Sequence, residues 1–151
     1  MTHIKLGFHE TDITPDAPMQ LIGFGSSSKS QGVERPLRAQ VSIWQSDTAC
    51  CTLVTIDHIG FAVEHAARLR DALGALTGTN AEHVMLCFSH THAAPNDSLE
   101  PAYANLVDAR ILDAARAALT SMRPVRVAWG CADTHIGVNR RSGGALDRRA
   151  G

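Results

Sequence analysis

The first half of the chain shows the alternation of apolar and polar positions that is typical of β-strands. Residues 37–45 alternate well and predict a strand with one buried face. Its inward side chains are Leu37, Ala39, Val41 and Ile43. Residues 51–56 are more continuously apolar and predict the next strand, joined to the first by a hairpin through residues 46–48. An earlier strand is predicted over residues 4–9.

The second half of the chain carries apolar residues three or four apart, which is the spacing of amphipathic helices. The first predicted helix covers residues 62–77, with Gly78 at its C-cap. Its apolar stripe is Val63, Ala66, Leu69, Leu73 and Leu76. Residues 84–88 are apolar on both faces and predict a central strand covered above and below. A second helix is predicted over residues 99–121 and a last strand over residues 125–129. The stripe of the second helix is Tyr103, Val107, Ile111, Ala114 and Ala118.

This order of elements predicts an α/β fold in a single domain, residues 1–151. The later elements form a β-α-β-α-β unit, which implies parallel pairing with right-handed crossovers within a mixed sheet covered by helices. In such sheets the active site lies beyond the carboxyl ends of the strands. An incomplete sheet edge would invite pairing with another chain, so a homo-oligomer is one expectation.

Composition limits the classes of function. Hydrophobic residues make up 44% of the chain and charged residues 19%, which fits a globular domain with a core. The net charge of −1 provides no field that would attract nucleic acid. No apolar run approaches the roughly 20 residues that span a bilayer, and the start of the chain lacks a secretory pattern, so the cytoplasm is the expected compartment. The cysteines form no C-x-x-C pair, and Cys51 and Cys87 are expected to be reduced core residues.

Two histidines follow the predicted central strand at a spacing that suits a metal ion. On an extended segment His90 and His92 point the same way, and imidazole nitrogen is a good zinc ligand. Spacing alone leaves two interpretations open, a metal-binding pair or two polar residues that cap a buried strand. Asp57 follows the preceding strand, where its carboxylate either orients a ligating histidine or is a solvated loop group.

A series of short motifs supports the first interpretation. The most specific is Ser89-His90-Thr91-His92-Ala93-Ala94-Pro95. The supporting motifs are Asp12-Ile13-Thr14-Pro15, Gly23-Phe24-Gly25, Pro36-Leu37-Arg38-Ala39-Gln40, Asp57 and Gly137-Val138-Asn139-Arg140-Arg141-Ser142. Taken in chain order, these motifs are similar to six elements of one family. The elements are D-I-T-P, G-Y/F, R-L-R-A-R, a strand-ending aspartate, T-H-T-H-S-x-P and I-N-R-S. The chain thus resembles the N-terminal catalytic region of the neutral/alkaline, non-lysosomal ceramidase family over nearly its whole length.

The resemblance implies a Zn²⁺-dependent hydrolase of a linear amide, either a small molecule or a lipid. It implies that His90 and His92 bind the metal, and that His92 also faces the substrate or the transition state. Arg140 is implied to bind the polar head of the substrate or to stabilise oxyanion charge, with Asn139 beside it and Asp57 among the catalytic residues. Zinc would polarise the amide carbonyl and lower the pKa of a bound water toward about 7.

The sequence departs from the family pattern in two respects. Pro95 is followed by Asn96 and Asp97, where ceramidases commonly have glycines. The family also completes its zinc site with a histidine, a glutamate and a tyrosine further along the chain than Gly151. The chain is therefore expected to be an incomplete part of a longer catalytic domain. The alternative is a catalytically silent half-domain that binds metal weakly or needs a partner chain.

Overall fold

The structure is a computed structural model that describes residues 3–23 and 28–134. Its elements are β1 (Ile4–Asp12), β2 (Arg38–Gln45), β3 (Cys50–Ile56), α1 (Val63–Thr77), a short 3₁₀ turn (Ala81–His83), β4 (Val84–Phe88), α2 (Pro101–Thr120) and β5 (Arg123–Val125). The five strands form one sheet in the order β4-β3-β2-β1-β5. Among the described residues, neither helix is long and apolar enough to cross a membrane.

The sheet is mixed, which confirms the predicted α/β class. β1, β2 and β3 pair antiparallel in sequence order, and Ser46 N donates to Ala49 O over 2.8 Å in the predicted hairpin between β2 and β3. β3 and β4 pair in parallel, with α1 as the crossover between them. These two strands are the only parallel neighbours in the sheet of the described part of the chain.

The last strand differs from its prediction in both place and direction. It spans Arg123–Val125 rather than residues 125–129, and it pairs antiparallel with β1 at the far edge of the sheet. The long helix α2 packs across β2 and β1, so it carries the chain away from β4 to the opposite edge. An edge position also tolerates Pro124, which has no N–H to donate to a ladder.

Both helices pack against one face of the sheet and against each other. The inward residues of β2 and the stripe of α2 are nearly or fully buried, as predicted; they are Ala39, Val41, Ile43, Tyr103, Val107, Ile111, Ala114 and Ala118. Leu69 and Leu73 of α1 are buried as well, and Gly78 closes this helix in the left-handed conformation. Val63 departs from the predicted stripe and is 79% exposed, because it lies at the first residue of α1, before the helix reaches the core.

Within residues 3–23 and 28–134 no helix covers the opposite face of the sheet, and this corrects two predictions. β4 is an edge strand rather than a central one, and Met85 is 61% exposed. Cys51 and Cys87 are exposed rather than buried in the core. A continuous apolar run does not tell which face of the strand will be covered. Both helices cover the face of the sheet opposite to the one that carries Met85. On its face of the sheet, Met85 lies beside Leu53 of β3.

Gly7 permits an unusually close approach of β1 to α2. A Cβ at Gly7 would lie 2.0 Å from the carbonyl oxygen of Ala118 and 2.7 Å from the sulfur of Met122. Ala118 is fully buried, and the oxygen belongs to helix backbone, so neither can move aside freely. The absence of a side chain at Gly7 therefore sets the distance between strand and helix.

We expect Gly7→Ala to lower the free energy of unfolding by about 1–3 kcal/mol, the usual cost of overpacking a core. Urea unfolding should show a lower midpoint with an unchanged slope. Gly32→Ala is the matched control, since a Cβ there would meet nothing within 4 Å. Equal midpoints for the two variants would contradict the close packing of β1 on α2.

Candidate functional site

Two loops lie side by side where the parallel strands β3 and β4 end. Residues 57–62 follow β3, and residues 89–97 follow β4; the second segment is called the histidine loop below. Ser89 N donates to Ile56 O over 3.0 Å, and His90 N donates to His58 O over 3.0 Å. The contact between the strands therefore continues into the loops, at the edge where α/β sheets bind ligands.

His90 is held in a specific backbone and side-chain state. Its φ of 59° lies in the left-handed region that most residues other than glycine avoid, and such conformations cluster at functional sites. Its ring Nδ1 is 2.9 Å from Ile59 O. Because a carbonyl only accepts, Nδ1 carries the proton, and Nε2 of the neutral ring keeps its lone pair. This is the tautomer in which a second hydrogen bond prepares a histidine to bind a metal.

His92 lies next to His90, with the two ring centroids 5.1 Å apart and nearly perpendicular. The backbone around His92 packs tightly on Gly23, where a Cβ would lie 2.2 Å from His92 O and 2.3 Å from His92 Cβ. The structure thus brings together the two predicted histidines, but through a left-handed residue at His90 rather than through the extended segment that was expected after β4. Their role as metal ligands stays a prediction.

Asp57 lies at the same sheet edge, and its contacts differ from those expected of it. Its Oδ2 accepts a hydrogen bond from Arg38 N over 3.0 Å, and its own N–H donates to Arg38 O over 2.9 Å. The ring of His90 is oriented by Ile59 O rather than by the carboxylate of Asp57. Asp57 instead borders an open cleft, so a catalytic role for it remains a prediction.

The cleft has a volume of about 810 Å³, which is in the range of small-molecule sites. It lies between residues 14–18, residues 30–37 and one side of the histidine loop. Many of its walls are apolar, among them Pro15, Pro18, Leu21, Val33, Pro36 and Leu37. Thr91 and Ala93 line it from the histidine loop, whereas His90 and His92 do not. The histidines therefore stand at its border.

His58 is a buried residue of the site that sequence analysis did not single out. Its side chain is fully buried, its Nε2 is 2.9 Å from Pro95 O, and Gly60 N donates to its Nδ1 over 3.1 Å. Burial lowers the pKa of His58 below its ordinary value, against the smaller effect of its hydrogen bonds and of Asp97. The only sequence signal was its position directly after Asp57 at a strand end.

A second buried histidine joins both helices to the histidine loop. His65 of α1 places Nδ1 2.9 Å from Asp97 Oδ2 and Nε2 2.8 Å from Asp108 Oδ1 of α2. Carboxylates only accept, so both ring nitrogens donate. The hydrogen bond to Asp108 is the largest of the effects that raise the pKa of His65, and Asp97 adds to it against the opposing effect of burial. His65 therefore links three elements, and its two carboxylate partners favour the charged form of its ring.

The described residues meet only part of the needs of a zinc site. His90 offers an oriented Nε2, and His92 lies beside it. Catalytic zinc takes about three protein ligands, and within residues 3–23 and 28–134 no group of three or more histidine, cysteine, aspartate or glutamate side chains is arranged to hold a metal. Asn139 and Arg140, predicted to contact the substrate, lie outside the described residues.

The fold and the two strand-end loops define an α/β protein with a histidine pair at the carboxyl edge of its sheet. This fold is similar to that of neutral ceramidase from Pseudomonas aeruginosa, with a TM-score of 0.70 and 19% sequence identity over 82% of this chain. A ceramidase complexed with C2 gives the same values. The chain spans 22% of the length of each of these proteins, and the likeness shows the fold alone. No protein-family model and no curated protein sequence matches the chain.

We expect His65→Gln to remove a pH-dependent part of the stability. Because folding raises the pKa of His65, the stabilisation by its charge is full below its unfolded-state pKa of about 6.5 and is lost as the pH rises through the folded-state pKa. The free energy of unfolding, measured by urea at a series of pH values, should fall over this window in the wild type.

The variant should lack that fall. His9→Gln is the matched control, because His9 is an exposed histidine on β1 and its loss should leave the pH dependence as it was. A curve for His65→Gln that runs parallel to the wild type would show that the link to Asp97 and Asp108 is not charged.

Proposed function

We propose that this chain provides the His90–His92 part of a zinc-dependent site that hydrolyses a linear amide, in the manner of ceramidase N-acyl hydrolysis. The observation that carries the proposal is the state of His90. Its left-handed backbone and its Nδ1–H bond to Ile59 O leave Nε2 available to a metal at the ligand-binding edge of the sheet. The likeness of the fold to that of two ceramidase structures supports the same class.

Each predicted site residue has a role in this proposal. His90 would hold zinc through Nε2, and His92 would be a second ligand or a donor to the oxyanion that forms on the amide carbonyl. Asp57, at the cleft, would accept a hydrogen bond from the substrate or from the attacking water. Asn139 and Arg140 would bind the polar part of the substrate. Zinc, when bound, supplies a polarised carbonyl and an acidified water.

The cleft beside Thr91 supports an amide with an apolar arm as the substrate. Its walls combine prolines and aliphatic side chains with charged ones, which are Asp16, Glu34, Arg35 and Asp57. Apolar surface of this kind stabilises a bound hydrocarbon chain by about 25 cal/mol per Å² removed from water. We therefore propose an N-acyl amide, either ceramide-like or smaller, with its acyl chain in the cleft and its amide at the histidines.

A second candidate function is a metal-binding half-domain without activity of its own. The observation that favours it is the ligand count, since the described residues present no cluster of three metal-binding side chains. A site with two imidazoles holds zinc weakly and loses it to a chelator. Zinc content separates the two candidates.

We expect the purified 151-residue chain to bind zinc weakly through His90 and His92, and to release a fluorescent amine from an N-acyl amide only if further ligands complete the site. His90→Ala should reduce zinc affinity by more than the roughly 10–100-fold that the loss of a supporting hydrogen bond costs. Metal analysis after dialysis and amine release measure the two properties. His9→Ala, at an exposed position on β1, is the control and should retain both.

The possible outcomes separate the proposals. Bound zinc with no amide hydrolysis would favour the half-domain. A folded wild-type chain that binds no zinc would overturn the metal site.

We also expect Gly23→Ala to weaken zinc binding by about 10–100-fold, which is the usual effect of disturbing the groups that orient a metal ligand. The new Cβ would meet both the carbonyl oxygen and the Cβ of His92, so the histidine loop must shift. Zinc affinity can be measured by competition with a chelator. Gly32→Ala is again the matched control, and equal affinity in both variants would show that the position of His92 does not matter to the metal.

A further inference from the structure

We propose that His58 is the positioning residue of this site, because its imidazole shapes the turn that presents the Ile59 carbonyl to His90. The inference rests on the proposed function, since it names what holds the proposed ligand His90 in its metal-binding tautomer. His58 does not itself face the metal or the cleft. It acts through the backbone of Ile59.

The ring of His58 has one hydrogen-bonding state that satisfies both of its neighbours. Nε2 lies 2.9 Å from Pro95 O, and because a carbonyl only accepts, Nε2 carries the proton. Nδ1 then has a lone pair, and it accepts the N–H of Gly60 over 3.1 Å. The neutral ring thus has its one donor and its one acceptor engaged, and Nε2 also lies 4.0 Å from the buried Oδ1 of Asp97.

The bond from Gly60 N to His58 Nδ1 closes a turn around a single residue, Ile59. A side-chain acceptor that binds the N–H two residues later is a common way to fix a turn. Gly60 has a φ of 147°, a conformation that L side chains rarely adopt, and it completes the turn without strain. The carbonyl of Ile59 then points to Nδ1 of His90 at 2.9 Å. The orientation of His90 therefore depends on the state of His58.

His58 also holds the histidine loop at both of its ends. Its carbonyl accepts from His90 N over 3.0 Å at the start of the loop, and its ring donates to Pro95 O near the end. One buried residue thus spans the segment that contains His92 and Thr91. The two neighbouring loops cannot move apart without breaking bonds to this residue.

Packing fixes the plane of the His58 ring. The ring centroid lies 4.8 Å from that of Phe61, 6.4 Å from that of Phe88 and 6.2 Å from that of Tyr103. In such buried surroundings each hydrogen bond is stronger than it would be in water, and an unpaired polar group is costly. Rotation of the ring away from Gly60 and Pro95 is therefore strongly disfavoured.

Three substitutions separate the two hydrogen bonds of the ring. In His58→Asn the amide oxygen takes the place of Nδ1, so the bond from Gly60 N is kept and the bond to Pro95 O is lost. In His58→Gln the amide nitrogen takes the place of Nε2, so the bond to Pro95 O is kept and the acceptor for Gly60 is lost. His58→Phe keeps the shape of the ring and loses both bonds.

The readout is the tautomer of His90 in the metal-free protein, observed through the ¹⁵N shifts of its ring at about pH 8, where most imidazoles are neutral. We expect the wild type and His58→Asn to show the Nδ1–H form of His90. His58→Gln and His58→Phe should show a mixture of the two forms. Zinc affinity, measured by chelator competition, should fall by about 10–100-fold in those two variants and much less in His58→Asn.

The matched control is Val107→Ala, which removes two buried methyl groups from the core that contains Tyr103 and leaves both bonds of His58 in place. It should lower stability without changing the His90 tautomer. If His58 mattered only for stability, the His90 tautomer would change in step with the unfolding midpoint. His58→Asn and His58→Gln would then give the same His90 spectrum. Equal His90 spectra in the Asn and Gln variants, or an unchanged Nδ1–H form in a folded His58→Phe, would overturn the inference.

The experiment also separates this inference from the proposed function. Because the tautomer is read without metal, a chain that binds no zinc still tests the role of His58. The wild type could bind zinc while the His58 variants keep both the wild-type zinc affinity and the Nδ1–H form of His90. That result would support the metal site and reject the positioning role of His58.

Discussion

The parallel pairing of β3 with β4 is the constraint on which the site depends. Ile56 and Phe88 are partners on the last rung, so the loops that follow them start from the same height of the sheet. An antiparallel neighbour would send one of the loops to the opposite edge. The helix α1 is what makes the parallel pairing possible, since a parallel pair requires a crossover of a dozen or more residues.

Two buried histidines secure this edge, and their surroundings shift their pKa values in opposite directions. Burial lowers the pKa of His58, whose ring bonds to a backbone carbonyl and a backbone N–H and lies 4.0 Å from Asp97 Oδ1. The pKa of His65 is raised, because it lies between two carboxylates. The first residue joins the loops to each other, and the second joins Asp97 of the histidine loop to both helices. Two histidines that are both buried therefore have pKa values shifted in opposite directions, because their hydrogen-bond partners differ.

Sequence patterns predicted the parts of this molecule that are governed by local periodicity. The alternation in β2 and the stripe of α2 can both be read from neighbouring residues. His90 and His92 come together through a left-handed residue, which the expected extended segment did not include. The pattern failed at β4, because an apolar run such as Val84–Phe88 does not show whether its second face will be covered. It also missed His58 and His65, whose importance comes from Pro95, Asp97 and Asp108, all distant in the chain.

The separation of these partners along the chain determines when the site forms during folding. The hairpin of β2 and β3 closes through a short turn and requires little loss of chain entropy. The rung between Ile56 and Phe88 forms only after the whole of α1 has been enclosed, and non-local pairing of this kind is slow. The bond of His90 to Ile59 O depends on this rung, so it belongs to the non-local part of the sheet rather than to the hairpin.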